Sequence, residues 1–477
     1  MNKSLPLYVF VASVFLMLVG GALPTTGMFV DGITYGNVAD NMATGVCTFW
    51  HPSHSPSLYP QFFQHPPLAM GLLALCYKAL GVHVWVTRLF TMVTTLLTAW
   101  LTVALWRRMG YSRRTGWLPL LLWVLVPAMS RNAHDNMLEC TMAVFTLAAL
   151  LCLLHGDCRH RLLRDAAGGV CLFLAFMCKG FTGLYPLAAP LAVWVVDWIM
   201  GGHTHRGRAL LTAVADVLAA GGTLAVCFGL TGLVFPAWVD YFDNYMQMQL
   251  LPGLTDATVS SRWTIVWKFL EQTAILWAVA AVAVGAMRIG RRERVPRTDL
   301  RCFWVCLTVA LTGVLPIAVS LKQYGFYILT VYPVVAVGIG ALVRSTALRL
   351  TDKVSGRWPA ATGIVATVAL AGAVTLNAMN WGKPGRDADL QHDLQLIAAQ
   401  VDEGEQVCMP ATMQEEWELY AYCYRAKHID LRPVDLSRPA GGLCRHLIAD
   451  RREAVPEALY TECRLPTRQY KLYELKQ

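Results

Sequence analysis

Two carboxylates and four basic side chains stand at the ends of apolar runs, which is an unusual place for charge. Asp31 sits in "FVDGITYGNVADNM" and Asp135 in "RNAHDNMLECT", with Glu139 one helical turn further on. His65 lies in "FFQHPPL", Arg88 in "VTRLF", Lys179 in "MCKGF" and Lys322 in "LKQYGF". A carboxylate can take the proton of an attacking hydroxyl. Lysine and arginine bind phosphate and stabilise it as it departs. Together the set suits transfer from a phosphorylated donor to a hydroxyl or phosphate acceptor, and a phosphate leaving group needs no general acid.

The elements that position these groups are membrane spans. Of 477 residues, 56% are hydrophobic and 15% charged, against roughly 25% charged in a soluble domain, and the mean hydropathy is +0.44. Apolar runs of about 18 to 24 residues recur, the length a helix needs to cross a bilayer. Alternating short segments, the mark of a β-barrel, are not the pattern here. The fold class expected is an α-helical polytopic membrane protein. The first run, 5–23, is read as a retained span, because "GGALPTTG" is a poor cleavage site and many spans follow.

The net charge of +9 does not point to nucleic acid. Its basic residues cluster in "RRMGYSRR" (107–114), "HGDCRHRLLRD" (155–165), "HTHRGR" (203–208), "RIGRRERVPRTDLR" (288–301) and "RSTALRLTDKVSGR" (344–357), all expected to be cytoplasmic loops. Spans fall between them in pairs: 117–130 with 137–155, 166–178 with 181–198, 209–235 with 264–287, and 302–320 with 326–343. Adding 5–23, 84–106 and 360–378 gives about eleven spans, up to 13 at the outside. The apolar stretch 68–81 is too short to cross and is taken as a helix at the interface or on the bundle. With a cytoplasmic N-terminus, residues 24–67, 131–136, 179–180, 236–263, 321–326 and everything after 380 face the extracytoplasmic side. Asp31, His65, Asp135, Lys179 and Lys322 share that side, and Arg88 and Glu139 lie near the outer ends of their spans.

Span 166–178 has 13 residues, about 20 Å of helix, which would leave Lys179 recessed below the outer surface. An ammonium at that depth demands an anion. Asp31, followed by Gly32 and Tyr35, fits the first turn of a short helix. Residues 236–263 read as interfacial helix or a lid. His51 and His54 are the candidates for a divalent metal, but H-x-x-H on a proline-rich loop lacks a third ligand, so no metal is assigned. After 380 the apolar runs stop. Strands are expected at 405–411, 427–433, 446–450 and 470–475, and helices at 388–401, 413–426 and 451–462. The domains are therefore 1–379, catalytic and membrane-embedded, and 380–477, a small extracytoplasmic α/β domain. Of 14 cysteines, Cys408, Cys423, Cys444 and Cys463 lie in that last domain and are compatible with two disulfides.

The ordered set of "FVDGITYG", "FFQHPPLAMGLLALCYKALG" with "VTRLF", "RNAHDNMLECT", "MCKGFTGLYPLAAPL" and "LKQYGFYILTVYPVVAV" resembles the polyprenyl-phosphate-sugar-dependent glycosyltransferases of the protein O-mannosyltransferase superfamily. The likeness is greatest to their bacterial branch containing the lipid A aminoarabinose transferase. It covers roughly residues 5–343. It implies a GT-C type bundle in the plasma (inner) membrane and an inverting transfer from a polyprenyl-phosphate-linked sugar to a lipid, protein or glycan acceptor, among membrane lipids and with no nucleic acid partner. It carries the catalytic role onto Asp31, with Asp135 assisting. Substrate contacts fall on Tyr35, Gln64, His65, Arg88, Lys179, Lys322 and Tyr324. The family often has an acid where Gly32 stands and another where Gln64 stands, so a divalent metal ion, a feature of some relatives, stays open as a cofactor of this chain. The alternative reading is a transporter or flippase of a lipid-linked glycan, which would place its charges along a path at mid-membrane.

Overall fold

A computed structural model describes residues 4–154, 159–201, 206–291, 293–357, 359–437 and 442–476. The basic stretches expected at 155–165, 203–208 and 288–301 fall partly outside these residues. The chain divides into two compact units.

The first unit comprises Met1–Leu23, Phe63–Ala69 and Arg88–Met379 and is a helical membrane bundle. Among the described residues, seven helical segments that lie wholly or mostly in this unit are long and apolar enough by themselves to cross a bilayer: Val84–Arg108, Phe181–Ile199, Gly207–Val234, Thr264–Ile289, Arg297–Val319, Gly325–Lys353 and Ala360–Ala378. Helices Leu5–Leu18, Leu138–Leu153 and Arg161–Lys179 occupy further expected span positions. The core is aliphatic, with Leu147, Leu150, Leu172, Val309, Val334 and Ile339 all buried.

Several expectations need correction. Span 117–130 is broken into Trp117–Val124 and Pro127–Asn132, because proline offers no N–H and drives Val126 to an extended conformation (φ −72°, ψ 118°). The helix ending at Lys179 begins at Arg161, not 166, and has 19 residues, about 28 Å. Charged Arg161, Arg164 and Asp165 extend it where hydropathy alone would stop. Residues 344–357 continue the helix Tyr332–Arg357 rather than forming a loop. There Arg344 pairs with Asp299 at 3.2 Å and lies over the Tyr111 ring at 5.3 Å.

Three spans change character at one end. Phe181–Ala188, Leu315–Val319 and Gly325–Val331 are 3₁₀ turns, the first two carrying Pro186 and Pro316. Tighter winding of this kind is poorly bonded and often marks function. Residues Ala237–Tyr245, a π-turn at Met246–Leu250 and Leu251–Thr255 give the stretch 236–263 its helical form.

The second unit comprises Pro24–Phe62, Met70–Thr87 and Asn380–Gln477. It therefore joins most of the first polar stretch, and most of the helix Leu68–Leu80, to the C-terminal residues. Its sheet has strands β1 (Gln406–Pro410), β2 (Asp430–Val434), β3 (His446–Asp450), β4 (Tyr460–Cys463) and β5 (Tyr470–Leu475), in the order β2-β1-β3-β5-β4. β1 runs parallel to β2 and β3, while β5 is antiparallel to β3 and β4. Helices Ala388–Ala398 and Trp417–Lys427 cover it, burying Leu394, Ile397, Leu419 and Cys423. The helix expected at 451–462 does not form. Pro456 interrupts it, and 460–463 pairs as an edge strand instead. Cys408 and Cys444 form a disulfide, whereas Cys423 and Cys463 are free, so one bridge replaces the two expected.

Candidate active site

In the bundle, the three 3₁₀ segments leave helical packing at the same place and enclose a cavity of about 560 Å³. Its walls are apolar, from Phe181, Leu184, Tyr185, Pro316 and Ile317, and its polar groups are few: His65, Lys179, Lys322, Gln249 and Tyr245 among them. Such an apolar cleft with convergent polar groups is the usual form of a ligand site.

Lys179 ends its helix because Gly180 follows at φ +89°, ψ −148°, a conformation open to glycine. A Cβ at Gly180 would stand 2.0 Å from the Tyr245 hydroxyl, and the Phe181 backbone hydrogen-bonds that hydroxyl. The stretch 236–263 thus packs directly on the lysine turn. The Lys179 ammonium pairs with Glu139 and lies over the Tyr327 and Phe326 rings at 4.9 and 5.1 Å. Its recess comes from this packing and not from a short helix. Glu139 is the anion that the lysine's depth demanded.

His65 is held by Tyr241, whose hydroxyl donates to the His65 carbonyl, and by the edge-on contact of Phe63 with Tyr241 at 5.0 Å. Burial first, then the charges of Lys179 and Lys322, push its imidazole well below the usual pKa. It is accordingly neutral near pH 7 and offers a hydrogen bond rather than the charge expected from sequence. Lys322 pairs with Asp256 at 3.5 Å. The Gln249 amide oxygen, which polar sequence around it gave no reason to single out, is buried and accepts no hydrogen bond among the described residues.

Arg88 and Asp135 are brought together but not into the cavity. Both are buried and lie 3.7 Å apart, with His134 Nδ1 at 3.1 Å from the same carboxylate oxygen. Arg88 also donates to the His134 carbonyl, and Asn136 takes the left-handed conformation (φ 55°) that closes this turn. Gln64 is half-buried beside His65. Tyr324 is exposed and stacks on Phe326 at 5.3 Å.

In the second unit, Asp31 lies in the first turn of the helix Val30–Thr44. Tyr35 donates to its Oδ2 at 3.5 Å, and Asp31 joins burial in raising the Tyr59 hydroxyl's pKa. The two histidines of the expected metal pair part company. His51 sits near Thr48 on an exposed turn, while buried His54 presents Nε2 to the Asn37 amide at 3.1 Å. Among the described residues no group of three or more His, Cys, Asp or Glu is placed to hold a metal ion.

Residues 64–221 match the dolichyl-phosphate-mannose-protein mannosyltransferase family. Curated proteins offer no sequence match. Among solved structures, ArnT from Cupriavidus metallidurans bound to undecaprenyl phosphate superposes with a TM-score of 0.64 at 15% identity, covering 97% of either chain. Its apo state gives 0.64 at 16%, over 98% of this chain and 97% of that one. The oligosaccharyltransferase AglB from Archaeoglobus fulgidus, in complex with an inhibitory peptide and a dolichol-phosphate, gives 0.55 at 10%, over 93% of this chain and 69% of that one. At these identities the structural likeness speaks for fold, and the family match extends over about a third of the chain. The chain is a polytopic membrane protein with the ArnT-like GT-C fold, and its residues 64–221 are similar to the dolichyl-phosphate-mannose-protein mannosyltransferases.

Proposed function

We propose that the protein transfers a sugar from a polyprenyl-phosphate donor to an extracytoplasmic acceptor. The observation that carries this reading is the cavity in the bundle, where Lys179, Lys322 and neutral His65 meet between apolar walls. Two ammonium groups and an imidazole suit a lipid phosphate, and the walls suit a prenyl chain. The buried Gln249 oxygen lacks a donor that a sugar hydroxyl supplies. The fold is shared with a protein solved with undecaprenyl phosphate bound.

In this reading Asp31 is the base that takes the acceptor's proton, oriented by Tyr35. Lys179 and Lys322 stabilise the charge that gathers on the departing phosphate. The sugar's anomeric carbon exchanges its bond to phosphate oxygen for one to the acceptor oxygen, with inversion. Arg88 and Asp135 support the turn preceding Glu139. The disulfide between Cys408 and Cys444 agrees with an extracytoplasmic second unit, and the basic stretch 107–114 with a cytoplasmic loop of the bundle.

Purified protein given membrane lipid extract should release free polyprenyl phosphate, and Asp31→Asn should abolish release while remaining folded. Retention of the lipid-linked sugar by both forms without release would replace the transferase with a transporter.

A further inference from the structure

The helix that carries Asp31 has a second polar face. At about 100° per residue, Gly32, Gly36 and Asp40 lie away from the side of Asp31 and Tyr35. That face lines a cavity of about 200 Å³ in the second unit, shared with Tyr77, His83 and Arg425. None of these residues lines the Lys179 cavity.

Most polar groups around it already have partners. Asn37 gives its amide to His54 and to the Ala421 carbonyl at 2.9 Å. Tyr77 and Thr87 share a hydrogen bond of 2.5 Å. Asp40 is held by His428 Nε2 at 3.0 Å. Arg425 is different. Among the described residues no carboxylate or hydrogen-bond acceptor meets its guanidinium, and the groups that act on it electrostatically are the Tyr77 and Tyr422 hydroxyls. Burial, the larger influence, lowers its pKa, while the surface it retains lines the cavity.

A recessed arginine stays charged, and a buried charge without a counter-charge is costly. The missing partner is an oxyanion, since the guanidinium fork matches carboxylate and phosphate with two parallel hydrogen bonds. There is room for one. The volume equals that of about seven waters. A Cβ at Gly36 would stand 3.5 Å from the Tyr77 hydroxyl, so any larger side chain there would occupy the space. His83, exposed, stands at the mouth.

We propose that this cavity is a binding site for a small oxyanion, a carboxylate or phosphate, gripped by Arg425. The group belongs either to a free anion or to the end of a larger molecule entering past His83.

The test is thermal unfolding of the full chain in detergent at constant ionic strength, titrated with inorganic phosphate, acetate or glycerol 1-phosphate, with chloride as the control salt. The wild type should show a saturable rise in Tm with at least one oxyanion and none with chloride. A midpoint at least tenfold lower for glycerol 1-phosphate than for phosphate identifies the end of a larger molecule, and equal midpoints identify a free anion. Arg425→Gln should lose the rise, and without oxyanion should melt at or above the wild type. Arg425→Lys, which keeps the charge and loses the fork, should raise the midpoint at least tenfold. The rise should persist in the Lys179→Met/Glu139→Gln double variant, which removes the buried lysine and its carboxylate partner from beside the other cavity. An unresponsive wild type, an undiminished rise in Arg425→Gln or Arg425→Lys, or its disappearance in the double variant would overturn the proposal. Should Arg425→Gln fail to fold, the wild-type, Arg425→Lys and double-variant titrations decide alone.

Discussion

Removing Lys179 should cost stability and donor binding together, and the two losses should separate when Glu139 is removed as well. The lysine side chain is 5% exposed and its partner carboxylate 0%. In Lys179→Met the buried carboxylate loses the ammonium that pairs with it, a change that costs about 3 to 5 kcal/mol. For a bundle of this size that is roughly 5 °C in Tm. Adding Glu139→Gln removes the stranded charge, so the double variant should recover most of the lost stability. It should not recover affinity for polyprenyl phosphate, because the ammonium that faces the cavity is still gone. Glu139→Gln alone makes the converse case. It strands the ammonium beside the cavity, so added polyprenyl phosphate should raise its Tm by more than it raises that of the wild type. Melting curves of the four forms in detergent, with and without polyprenyl phosphate, provide every comparison. A Lys179→Met variant as stable as the wild type would refute the buried ion pair. A double variant that binds the lipid phosphate normally would remove Lys179 from the site.

Two further outcomes follow from local geometry. Gly180→Ala forces a side chain into a backbone conformation that costs on the order of 1 to 3 kcal/mol and onto the Tyr245 hydroxyl; lower Tm and weaker polyprenyl phosphate binding are expected, and no change in either would show that Tyr245 does not pack on the lysine turn. Burial, opposed by the Asp430 charge, lowers the His54 pKa to about 4, against about 6.5 when unfolded. Above pH 6.5 neither state holds the proton. Between pH 6.5 and 4 the unfolded chain binds one that the native chain refuses, so stability falls on acidification by about 1.4 kcal/mol per unit, about 3 kcal/mol in all. His54→Gln, able to accept from Asn37, should flatten that part of the unfolding profile; an unchanged slope would mean that His54 is charged in the fold.

How much of this was legible follows from which interactions are local. Span positions were, since bilayer thickness imposes its length on each apolar run, and so was the first-turn place of Asp31. Helix ends were not. The hydropathy of 166–178 stops at Asp165, yet backbone hydrogen bonding and the Asp165 side chain's burial carry the helix back to Arg161. The convergence of His65, Lys179 and Lys322 was foreshadowed by cations on one side of the membrane. Their partners were not, because they come from 40 or more residues away: Glu139 pairs with Lys179, while burial, with the Lys179 and Lys322 charges added to it, keeps His65 neutral. Gln249 carried no signal in a stretch already rich in Gln and Met. The prolines at 186 and 316 and the glycine at 325 did carry one, but the two prolines fall inside the expected spans 181–198 and 302–320 and the glycine just before 326–343. Three spans that tighten into 3₁₀ turns at a common level cannot keep their side chains in helical register there, and the space this opens is the cavity itself. Where an apolar run ends in proline or glycine beside a lone lysine, the end of the span is therefore better read as the wall of a site than as the start of a loop.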